Sequence, residues 1–134
     1  MYFDDEINFL NNSSENIERI SLTENEIAEI RNPYPNVSED FINYLSEIGY
    51  GDILDSLFKV YSGLCDLEDL GLEDVYEAPN IVFFGDNYNG DMSGFDLSEK
   101  NDQVVELWHE SGDLYYTGKT FRQYIRDLIG MPLS

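Results

Sequence analysis

From Asn80 to Tyr116 the chain falls into strand-sized apolar runs separated by turn residues, and no other stretch restricts the fold as much. The runs are Ile81-Val-Phe-Phe, Gly94-Phe-Asp-Leu, Val104-Val-Glu-Leu-Trp and Leu114-Tyr-Tyr. Between them lie Gly85-Asp-Asn-Tyr-Asn-Gly-Asp, Ser98-Glu-Lys-Asn-Asp and Glu110-Ser-Gly-Asp, which carry turn chemistry. Loops this short join antiparallel neighbours, so a β-meander is expected. The alternating run Leu57-Phe-Lys-Val-Tyr-Ser, closed by Gly63, is a further strand candidate and brings the expected sheet to about four to five strands.

Upstream the apolar period becomes helical. Ile7 and Leu10 follow the acids Asp4, Asp5 and Glu6, which suit a helix N-terminus. Ser21 with Glu24, or Thr23 with Glu26, forms a capping box before Ile27 and Ile30, and Pro33 and Pro35 stop that helix. Ser38 caps the next one, where Phe41, Ile42, Leu45 and Ile48 recur before Gly49 and Gly51. The clearest helix comes last. Thr120 with Gln123 opens it, and Phe121, Tyr124, Ile125, Leu128 and Ile129 make one apolar stripe. Gly130 and Pro132 close it, and Arg122 and Arg126 are expected on its solvent side. The order is helices, antiparallel meander, then a C-terminal helix packed on the sheet: an α+β fold, with residues 1–134 as one domain.

Charge narrows the partner. The chain holds 28 Asp and Glu against 7 Lys and Arg, a net charge of −21. Residues 1–99 carry 23 of the acids and three bases, Arg19, Arg31 and Lys59. With 10 Tyr, 8 Phe and 1 Trp the chain is too aromatic for a disordered acidic tail. A field of this sign repels nucleic acid and anionic membranes and attracts a basic protein, although solubility alone is an alternative use of it. The same charge opposes self-association, which favours a monomer. A lone cysteine, Cys65, excludes an internal disulfide and fits a reducing compartment, and Met1-Tyr-Phe-Asp-Asp-Glu lacks a signal peptide's basic start. No apolar run is long enough to span a bilayer. A cytoplasmic location is expected.

Catalytic residues are scarce. The single histidine, His109, has only Ser111 and Cys65 as nucleophile candidates, and neither lies in a Gly-x-Ser-x-Gly elbow. One Cys and one His do not make a zinc site, and no phosphate-binding loop is present. With Gly90 or Gly94 as the sixth residue of a calcium loop, the twelfth is Asp96 or beyond it Lys100, and neither register supplies the ligands. No catalytic residue, metal or cofactor is expected, and the chain reads as a non-enzyme; a hydrolase built on clustered carboxylates is the outlying alternative.

Binding residues are plentiful. Residues 66–77 form an acidic connector in which Asp66, Glu68, Asp69, Glu73, Asp74 and Glu77 interleave with Leu67, Leu70, Leu72 and Tyr76. Aromatic anchors with acids around them suit a basic protein surface. Asp86, Tyr88 and Asp91 occupy a hairpin tip, where recognition loops often lie, and join the candidate interface.

The stretch Ile81-Val-Phe-Phe-Gly-Asp-Asn-Tyr-Asn-Gly-Asp-Met-Ser-Gly-Phe-Asp-Leu, then Gln103-Val-Val-Glu-Leu-Trp-His-Glu and Lys119-Thr-Phe-Arg-Gln-Tyr-Ile, resembles the SUKH superfamily. The resemblance covers residues 24–129 and leaves the first 20 as an N-terminal extension; Val37-Ser38 replaces the Leu-Pro that usually opens the second helix. It implies a compact α+β domain without catalytic activity. The superfamily includes bacterial immunity proteins, which neutralise a cognate toxin that is often a nuclease, and the yeast cell-wall synthesis regulator. The resemblance therefore implies an immunity protein for a basic nuclease-type toxin domain, or else a regulatory protein–protein scaffold.

Overall fold

The computed structural model of the chain describes residues 2–11, 19–53, 58–99 and 102–131. Helices α1 (Asp4–Asn11), α2 (Glu24–Arg31) and α3 (Glu39–Glu47) come first. Strands β1 (Gly51–Ile53), β2 (Phe58–Cys65), β3 (Ile81–Asp86), β4 (Met92–Asp96), β5 (Gln103–Leu107) and β6 (Leu114–Thr120) follow, and α4 (Phe121–Ile129) ends the series. The strands form one antiparallel sheet in the order β1-β2-β3-β4-β5-β6, each beside its sequence neighbour. The α+β meander is as expected, with six strands in place of four or five. β1 is the addition, three residues long and too short to show a period. β2 passes through Gly63 to Cys65 where a stop was expected, because its register with β3 shifts between Val60 and Cys65 and absorbs the glycine. Leu57, Lys100 and Pro132, each part of an expectation above, lie outside the described residues.

Local chemistry sets the helix ends. Thr23 and Glu26 make the reciprocal capping box of α2, so Ser21 is not the cap, and Thr120 and Gln123 do the same for α4. Ser38 Oγ accepts from the Phe41 amide at 3.3 Å. After α3 the chain turns at Gly49, with φ +108°, and Tyr50 bridges Ile20. A Cβ on Gly49 would lie 2.4 Å from the Ile20 carbonyl carbon, so only glycine allows the bridge.

Both faces of the sheet are covered. On one, Phe84, Phe95 and Val104 pack beneath Phe41 of α3 and Phe121 and Tyr124 of α4. Phe121 meets Phe84 edge to face at 4.9 Å and 81°, an arrangement that adds about 0.5–1.5 kcal/mol per pair beyond burial. On the other face Ile81, Phe83, Met92, Val105 and Leu107 lie under Leu67 and Ala78, with Leu70, Leu72 and Tyr76 beside them. The acidic connector is thus a lining of the second face, with Leu67, Leu70 and Leu72 turned inward, Tyr76 half-buried and Val75 exposed. It contains hydrogen-bonded turns, Leu70 N to Asp66 O and Leu72 N to Leu67 O among them, and no helix.

One expectation fails on α4. Arg122 and Arg126 do not face solvent: they converge on Glu6 of α1, which is 0% exposed. Arg122 Nε and Nη2 donate to the two Glu6 oxygens at 3.1 Å each, and Arg126 Nε and Nη2 donate to Oε1 at 3.2 and 3.0 Å. Phe3, also fully buried, sets its ring edge-on to Tyr44 at 5.7 Å. Residues 2–11 are therefore built into the fold, and helical periodicity within α4 carries no record of what α1 brings to it.

Candidate functional site

The β3–β4 hairpin is held by its own acids. Asp86 Oδ1 accepts from the Tyr88 amide at 2.9 Å, and Oδ2 from the Tyr61 hydroxyl at 2.6 Å. Asn87 Oδ1 accepts from the amides of Asn89 and Asp91 at 3.0 and 3.2 Å. Tyr88, exposed and at φ +65°, donates its hydroxyl to Asp52 of β1, and that bond pushes the phenol up to about 12. Asp91 reaches the opposite way. Its Oδ1 accepts from the His109 amide at 3.0 Å and lies 2.7 Å from His109 Nδ1. Partial burial pushes its carboxyl up, but the bonds from His109 outweigh that and leave it below the usual carboxylate range.

His109 is where the pieces meet. Its carbonyl accepts from the Tyr76 hydroxyl of the connector at 3.0 Å. Asn89, Asp91, Trp108, His109, Glu110 and Ser111 line an open cleft of about 550 Å³ beside it. The structure thus brings together Tyr76, Asp91 and the β5–β6 hairpin. It does not bring Asp66 and Asp69 there. Those two follow the Cys65 end of β2, whereas Asp86 pairs with Lys59 at the other end. Asp66 and Asp69 also cap each other's turn, Asp69 N to Asp66 Oδ1 at 2.8 Å and Asp66 N to Asp69 Oδ2 at 3.1 Å. Glu68, Asp69, Glu73, Asp74 and Glu77 are exposed.

Sequence reasoning missed an aromatic pair. The Trp108 and Tyr115 rings stack at 5.2 Å and 24°, exposed by 40% and 48%. The signal was available in Glu-Leu-Trp-His and Leu-Tyr-Tyr flanking a four-residue turn, a hairpin that pairs Tyr115 with Glu106 and so puts it diagonal to Trp108.

His109 with Asp91 has the form of the orienting half of an acid–base set, which needs a nucleophile at the ring's other nitrogen. Ser111 Oγ instead accepts from the Asp113 amide at 3.2 Å, and among the described residues His109 Nε2 has no hydrogen bond to it. Burial, then Asp69 and Asp66, push the Cys65 thiol up, away from thiolate character. Among the described residues no three His, Cys, Asp or Glu side chains are placed to hold a metal, and no helix is long and apolar enough to cross a membrane.

No curated protein and no solved structure matches the chain. The family model described as SMI1 / KNR4 family (SUKH-1) matches residues 21–127, from the segment before α2 into α4, leaving α1 outside. A match over most of the sequence, on a meander closed by a helix, identifies the chain as a member of the SMI1 / KNR4 family (SUKH-1).

Proposed function

We propose that the chain is a non-enzymatic, cytoplasmic binding protein: an immunity protein that occludes the basic, nuclease-type toxin domain of a bacterial polymorphic toxin system. Membership of the family supports, at its own level, an immunity protein or an SMI1/KNR4-like regulator.

The observation that carries the finer reading is how the bases are used. Arg122 and Arg126 close on Glu6, Lys119 on Asp127 and Arg31 on Glu39, while Arg19 donates to the Asp52 carbonyl. These five positive charges are thus tied down locally. The exposed acids of the connector project a field that those charges do not offset. A nuclease must hold phosphate and is basic for that reason, so the two surfaces attract across solvent. In this reading Glu68, Glu73, Asp74 and Glu77 steer, Tyr76 and Tyr88 supply contact area, and Asp66, Asp69, Asp86 and Asp91 shape the turns that present them.

The test is capture of partners from the protein's own cells at about 0.05 and about 0.5 M salt. The proposal predicts one basic, toxin-like protein whose recovery falls at the higher salt. Capture of a signalling or cell-wall protein alone would assign the chain to the regulators.

A further inference from the structure

We infer that the Trp108–Tyr115 stack is the anchor of the binding surface and that it receives an arginine side chain from the basic protein partner. The inference rests on the reading of the partner as basic; it adds where that partner is gripped and by which group.

The stack is exposed yet fixed from the core. Trp108 Nε1 donates to Glu106 Oε1 at 3.2 Å, and Glu106 Oε2 accepts from the Tyr124 hydroxyl at 2.6 Å. That hydroxyl lies 2.8 Å from Ser93 Oγ, and both Tyr124 and Ser93 are buried. A chain of bonds therefore runs from the interior to the indole, so little side-chain freedom is lost when something lands on it. Solubility does not call for a fixed, open tryptophan. Two flat rings already stacked offer an outer π face, the surface on which a guanidinium is favoured over an ammonium, being planar and weakly hydrated.

The local charge selects a cation. Exposed Glu110 and Asp113 belong to the same hairpin, and Trp108 N donates to Asp113 O at 2.9 Å. The bases of β6 and α4 do not compete, since Lys119 is held by Asp127 and Arg122 and Arg126 by Glu6. Approach is open as well. β6 is an edge strand, in even register from Leu107↔Leu114 through Val105↔Tyr116, with its irregularity confined to the stretch before Thr120. Tyr116, on the opposite face from Tyr115, donates to Asp96 at 2.7 Å and serves as an internal control.

Trp108 is the only tryptophan, so its emission reports the site directly. The experiment titrates the full chain with tetra-arginine amide and with tetra-lysine amide at about 0.05 M salt, by calorimetry and by fluorescence. The expected result is a saturable change in Trp108 emission, with the arginine peptide held about threefold or more tighter than the lysine peptide. Tyr115→Ala should weaken arginine-peptide binding about fivefold, with Tyr115→Phe and Tyr116→Ala near wild type. Circular dichroism and urea midpoints check that the variants fold, and Trp108→Phe, read by calorimetry, gives a second measure of the stack. Calorimetric binding with unchanged emission and no effect of Tyr115→Ala would overturn the anchor and leave the basic-partner reading standing. Equal affinity for both peptides would remove the preference for arginine. No binding of either peptide would remove the anchor and the electrostatic reading together.

Discussion

Glu6 is fully buried, and a carboxylate in that position is tolerated only because Arg122 and Arg126 replace its hydration with four hydrogen bonds. Glu6→Gln should therefore lower stability by about 3 kcal/mol, read as a fall in the urea midpoint, since it removes the buried charge on which both guanidinium groups converge. A triple replacement by apolar residues of similar volume should recover most of that loss. Gly94 is a second sensitive residue. A Cβ there would stand 2.1 Å from the Val82 carbonyl oxygen, so Gly94→Ala has to part β3 from β4 and should cost about 2–3 kcal/mol in the same measurement. Neither constraint could be seen in the sequence. Arg122 and Arg126 looked solvent-facing because a helix's period describes that helix alone, and Asp66, Asp69, Asp86 and Asp91 looked like free surface charge although the first three accept bonds inside a turn and Asp91 accepts one from His109 of the next hairpin.

Among the elements, α4 was the most legible and the acidic connector the least. The Thr120–Gln123 box and the five-residue stripe from Phe121 to Ile129 appear in the structure as read, because both are local signals. Thr120→Ala should cost about 1 kcal/mol, measurable by thermal unfolding. The connector has no period, so its role as the lining of a sheet face follows only from Leu67, Leu70, Leu72 and Tyr76 meeting strands. Its acids fall into two kinds. Reversing Asp69 would break a turn as well as remove a charge, so the informative variant is Glu73→Lys with Asp74→Lys, two exposed residues away from that cap. That pair should slow association with the basic partner and flatten its salt dependence without moving the melting temperature, as read by stopped-flow at several ionic strengths.

For the whole molecule, charge and fold oppose each other at neutral pH. A net −21 on 134 residues repels itself, and salt screens that repulsion over about 8 Å at physiological strength, so added sodium chloride should raise the melting temperature. Acid acts in the other direction. Asp91 and Asp96 feel burial, which pushes them up, but the bonds from His109 to Asp91, and from Ser98 and Tyr116 to Asp96, hold both below the unfolded value. A carboxylate lowered in this way stabilises the fold above its unfolded value, and the contribution disappears as pH falls through the folded one. The melting temperature should thus drop steeply below about pH 4, and Asp91→Asn should flatten that limb. The strand order has a consequence for how the chain is made. Each strand pairs with the one just synthesised, so the sheet can assemble as it leaves the ribosome. Glu6 must wait for Arg122, 116 residues later, which at about 10 residues per second is on the order of ten seconds. Until α4 emerges, the first helix carries a carboxylate with nothing to answer it. A helix translated after the whole sheet is thus the one that locks α1 into place, and a chain broken off before α4 keeps Glu6 unanswered as the mark of an unfinished fold.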